Sequence, residues 1–142
     1  MKRILVALDG SERAAQVLAA ARGLASLTSA TLVLYRAINI PPILPIDLLT
    51  VTDMSIEDIL QRNAHESLGR LASTLPAGML EAIITDFAIP WDGIVRAGRA
   101  RDADLIVIGS HGFRGIDHLL GTTAAKVVNH ADRNLLVVRT LL

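Results

Sequence analysis

The chain contains no cysteine, which excludes disulfides, thiolate metal sites and thiol catalysis together. It has no surplus of charge: 14 basic and 14 acidic residues cancel. A protein that coats nucleic acid needs an excess of Lys and Arg, so that class is excluded. No uninterrupted apolar run approaches the roughly 20 residues of a membrane-spanning helix. The opening run Ile4-Leu5-Val6-Ala7-Leu8 meets Asp9 and Gly10 too soon for a signal peptide. What is present is 51% apolar residues in 142, enough for a core that needs no staples. These features predict one domain over residues 1–142, soluble and cytoplasmic, with neither nucleic acid nor membrane as partner.

A unit recurs along the chain: a short aliphatic run, a turn, then an alanine-rich stretch of helical period. Ile4 to Leu8 is apolar at every position, as suits a strand buried on both faces. Asp9-Gly10-Ser11 predicts a turn, with Ser11 as N-cap and Glu12 in the first turn of a helix. Ala14, Val17, Leu18, Ala21, Leu24 and Ala25 then form one apolar stripe. Thr31 to Ala37 reads as a second strand. Residues 38 to 55 break the rhythm, because Pro41, Pro42 and Pro45 fit neither a helix interior nor a central strand. A long apolar loop of this kind is a lid, a binding loop or a partner contact.

A helix begins at Ser55 with Glu57 and Asp58 in its first turn, and Pro76 follows its end. Met79 to Phe87 is a strand of mixed polarity, suited to a sheet edge. Pro90 opens a third helix, Asp104 to Ile108 forms a fourth strand, Thr122 to Ala131 a fourth helix and Asn134 to Arg139 a fifth strand. Strands alternating with helices imply βαβ units, hence a parallel sheet covered on both faces with right-handed crossovers. Ligands of such sheets bind beyond the carboxyl ends of the strands, where the strand order reverses. Asp9-Gly10-Ser11 and the segment from Gly109 to Gly121 meet there if the first and fourth strands flank the reversal.

Gly109 and Gly112 let the chain turn out of its strand with amides free to face an anion. Gly121-Thr122-Thr123 opens a helix, where unpaired N–H groups and the dipole favour phosphate. The pattern is neither a Walker A loop nor Gly-x-Gly-x-x-Gly. Spacing alone does not choose between a phosphate site and glycines that merely shape a tight connection with Thr122 as N-cap.

Three stretches settle what the chain resembles: Ile4 to Ser11, Asp102 to Gly112, and Leu120 to Val128, with Leu135 to Val138 fitting as well. Together they resemble the universal stress protein family, in its single-domain, UspA-like, glycine-motif branch. The family's nucleotide-binding motif is Gly, two residues, Gly, nine residues, Gly, then Ser or Thr. Here Gly109, Gly112, Gly121 and Thr122 follow it with eight residues in the long gap. The resemblance implies a three-layer α/β sandwich of the adenine nucleotide alpha hydrolase-like, Rossmann-like type, with a five-stranded parallel sheet in the order 3-2-1-4-5. It implies an adenine-nucleotide (ATP) site with Mg²⁺ held mainly by phosphate oxygens and water. Gly109, Gly112, Gly121, Thr122 and Thr123 would contact phosphates, Asp9 the ribose and phosphates, Ala7 and Ala37 the base, and Ile108 the pocket wall. His111 flanks the same segment and could touch phosphate.

Each of these residues has a plainer reading: Asp9 as a turn acid bonding its own backbone, and His111 and His118 as solvated loop side chains. Trp91 reads as packing, and His65 and His130 as helix-surface and helix-end residues. Ser11 and Ser110 lack a base, so no nucleophile and no catalytic residue is assigned, and no His, Asp or Glu spacing builds a metal site. The apolar last strand, Leu135 to Val138, ends the sheet and must be covered or paired. The resemblance implies pairing with a second copy. The expectation is therefore a binding protein acting as a homodimer in stress adaptation. A slow ATPase or nucleotidyl transferase in the same pocket, and a nucleotide-free dimeric interaction module, are the alternatives.

Overall fold

The computed structural model describes residues 1–39, 55–110 and 121–140. Along the chain these form β1 (Arg3–Ala7), α1 (Ala14–Thr28), β2 (Thr31–Ile38), α2 (Ile56–Ala72), β3 (Leu80–Phe87), α3 (Pro90–Ala100), β4 (Leu105–Gly109), α4 (Thr122–His130) and β5 (Asn134–Val138). The five strands form one parallel sheet in the order β3-β2-β1-β4-β5. Most of the 38–55 segment lies outside the described residues.

Strand alternation builds two cores. Ile4, Val6 and Leu8 of the first run join Leu32, Leu34, Leu105 and Val107 on one face, covered by Val17, Leu18 and Ala21 of α1 and Leu68 of α2. Leu5, Val33, Tyr35, Ile106 and Ile108 face the other way, against Ile94 and Val95 of α3 and Ala124 and Val127 of α4. Both cores demand apolar side chains from the same strands, which is why β1 and β4 show no polar alternation. As expected, β3 and β5 are the sheet edges.

Helix starts follow local chemistry. The Ser55 hydroxyl caps α2 by accepting from the Asp58 N–H at 3.1 Å. Pro90 takes the first turn of α3 after Ile89 at the N-cap. The expected Ser11 cap of α1 does not form, and Glu12 precedes the helix: α1 begins at Ala14 with Arg13 at the N-cap and no side-chain cap. The reason is competition. Ser11 donates its hydroxyl to Asp9 Oδ1 and accepts from the Arg13 N–H at 3.2 Å, so the turn consumes the side chain meant for the helix.

Candidate functional site

The pairing of β1 with β4 runs from Ile4 opposite Leu105 to Val6 opposite Val107. Beyond it the chain stays with β2, where the Leu8 N–H donates to the Tyr35 carbonyl at 2.9 Å. The seam between β1 and β4 therefore opens at the carboxyl ends of the strands. A cavity of about 490 Å³ occupies that opening, within the range of small-molecule sites.

Six residues expected from the sequence line this one cavity: Ala7, Asp9, Ala37, Ile108, Gly109 and Thr123. They come from four elements and the turn after β1. Gly121 and Thr122 are not among its lining residues, although they adjoin Thr123. His111 and Gly112 lie outside the described residues. The glycine segment nonetheless returns to its own start, because the Gly121 N–H donates to the Ser110 carbonyl at 2.9 Å. That bond sets the amino end of α4 against the end of β4. Gly121 is the N-cap of α4 and, being glycine, supplies no side-chain cap to the amides of its first turn.

Gly109 has a packing reason as well. A Cβ on it would stand 3.1 Å from Val17 Cγ2 of α1, so glycine lets α1 close on the end of β4. Asp9 likewise does two things. Its Oδ1 accepts from the Ser11 N–H at 2.9 Å and from the Ser11 hydroxyl, the turn role, while the residue also lines the cavity.

Several lining residues escaped the sequence reading. Arg13, Tyr35, Arg36, Asn63 of α2 and Thr140 all face the cavity. Thr140 is fully buried beyond β5, and its N–H lies 3.4 Å from Ser110 Oγ. Tyr35 is 1% exposed, and among the described residues its hydroxyl finds no partner within hydrogen-bonding distance and angle, with Asp86 the nearby carboxylate. Burial pushes that hydroxyl up to about 12, and the nearby Asp86 carboxylate adds to the effect. One signal was available: Arg36 is a charge inside the otherwise apolar run from Leu32 to Ile38. Asn63 carried none, since a polar residue on a helix is ordinarily a solvated one.

Trp91 packs as expected, its ring 4.6 Å from that of His130 with Lys126 Nζ 5.8 Å above it. His130 closes α4, with Nδ1 2.8 Å from the Lys126 carbonyl.

A family model described as the universal stress protein family matches residues 1–139. The chain belongs to the universal stress protein family. Universal stress protein A homolog 1 of Coxiella burnetii is 28% identical to it over 144 residues, 96% of this chain and 95% of that protein. A universal stress protein solved in complex with cAMP is similar in structure, with a TM-score of 0.67 and 22% identity over 97% of this chain and 96% of that one. The universal stress protein of Archaeoglobus fulgidus in complex with dAMP gives 0.62 and 23% identity over 99% and 98%. At these identities the structural likeness is one of fold. Among the described residues of this universal stress protein, no helix is long and apolar enough to cross a membrane.

Proposed function

We propose that this universal stress protein binds an adenine nucleotide, ATP in the first instance, in the cavity at the open β1–β4 seam. Binding is its function: occupancy orders the segment between Ser110 and Gly121 and biases a surface read by a partner in cytoplasmic stress adaptation. The observation that carries this reading is the convergence of Asp9, Ala37, Ile108, Gly109 and Thr123 on one cavity of about 490 Å³. The adenylates held by the two related proteins support it.

The donor set fits such a ligand. Ala7, Ala37 and Ile108 give apolar walls for a base, and Ala37 near the end of β2 would offer its backbone to the base edge. Thr123 and the first-turn amides of α4, with Gly121 and Thr122, offer donors to phosphate. His111 and Gly112 belong to the same reading. Asp9 is the sole carboxylate lining the cavity among the described residues, and those residues contain no group of three or more potential metal ligands. A Mg²⁺ ion would thus rely on phosphate oxygens and water, with Asp9 as its nearest protein acid.

Mass spectrometry of small molecules released from the purified, heat-denatured protein tests the proposal. Bound ATP with negligible turnover is the expected result. Steady ADP release would make the protein an ATPase. An empty pocket with no response to added adenylates would contradict the reading.

A further inference from the structure

The cavity carries positive charge that the glycine segment does not account for. Arg13, at the N-cap of α1, and Arg36, in β2, both line it. The Arg13 Nε is buried and has no hydrogen-bond partner among the described residues. The Arg36 guanidinium lies over Gly10, where a Cβ would stand 2.8 Å from Nη2. With no side chain at Gly10, the guanidinium can lie close against the turn. Among the described residues, ion pairs engage Arg3, Arg96, Arg99 and Arg133 but neither of these two. Asp9, the single lining carboxylate among the described residues, already accepts from Ser11.

Position separates this charge from the α4 end of the cavity. Tyr35 and Ala37 belong with the α3–α4 face of the sheet and Leu34 with the α1–α2 face, so strand alternation puts Arg36 on the α1–α2 side, where Arg13 precedes α1. A guanidinium nitrogen withdrawn from water without a partner is unfavourable, and the group's planar fork matches phosphate oxygens in pairs. We infer that Arg13 and Arg36 form a second anion subsite in the cavity, which takes a phosphoryl group of the ligand. Resting on the nucleotide reading, this makes affinity climb with the number of phosphoryl charges and distinguishes ATP from adenosine.

Calorimetric titration of adenosine, ATP and inorganic pyrophosphate against the wild-type chain, Arg13→Gln and Arg36→Gln tests it. Each variant should lose roughly tenfold to a hundredfold in affinity for ATP and pyrophosphate, keep its affinity for adenosine, and show a shallower salt dependence. Equal losses for adenosine and ATP would reduce the arginines to packing and overturn the subsite. Unchanged ATP binding in both variants would overturn it while leaving the nucleotide reading intact. Arginine-dependent pyrophosphate binding by a chain that ignores adenosine and ATP would uphold the subsite and defeat the nucleotide reading. Should Arg13→Gln not fold, Arg13→Lys keeps the charge without the fork and is expected to bind ATP at intermediate strength.

Discussion

Tyr35 shows how one residue ties core to site. Its ring fills the core between β2 and α3 while the residue lines the cavity, and burial withdraws its hydroxyl from water beside the Asp86 carboxylate. Because it is the only tyrosine, tyrosinate absorbance reports it alone. The native chain holds the phenolic proton up to about 12, whereas the unfolded chain releases it near 10. Its contribution to stability is therefore complete below about pH 10 and is lost as pH rises towards 12. A stopped-flow alkaline jump that reads absorbance before unfolding should find Tyr35 still protonated at pH 10.5. Immediate ionisation there would mean that the ring is not buried as described. None of this was visible beforehand, since a lone aromatic in an apolar strand reads only as core.

At the scale of elements, the amino end of α3 is fitted to that same ring. A Cβ on Gly93 would collide with Tyr35 Oη and stand 2.9 Å from Ala88 Cβ. Gly69 in α2 has nothing within 4 Å of the equivalent position. The two glycines should therefore respond oppositely to alanine. Gly69→Ala is expected to stabilise by up to about 1 kcal/mol, the helix-propensity gain. Gly93→Ala is expected to cost about 1–3 kcal/mol, because overpacking exceeds that gain. Urea unfolding followed by circular dichroism measures both, and a stabilised Gly93→Ala would contradict the packing described.

The elements themselves were legible because periodicity follows burial. From Ile4 on, β1 is apolar, as is β4, since each face meets a different helix pair, and Ser55 and Pro90 mark helix starts by their own chemistry. The start of α1 differs because the Ser11 hydroxyl accepts from the Arg13 N–H, two residues on and before the helix, and not from an amide inside it. The site was half legible. Glycine, threonine and acid at strand ends announce themselves, while Arg13 and Asn63 matter only through which cavity the fold turns them towards.

For the molecule as a whole, the sheet leaves β5 at one edge with Leu136 37% exposed. Pairing of this strand with a second copy is the arrangement we propose for the homodimer. Leu136→Lys is the variant to make, because Val137 also packs against the core and a charge there would confuse folding with assembly. Light scattering should report a dimer for the parent chain and a monomer of unchanged helicity for the variant. A dimer in both would move the interface elsewhere.

The central claim is that the open seam beyond Val6 and Val107 receives an adenine nucleotide. Amide chemical-shift mapping by NMR during an ATP titration tests it most directly. Saturable shifts are expected, concentrated at Leu8 to Gly10, Ala37 to Asn39, Gly109, Ser110 and Gly121 to Ala124. Shifts confined to other surfaces, or none at millimolar ATP, would contradict it.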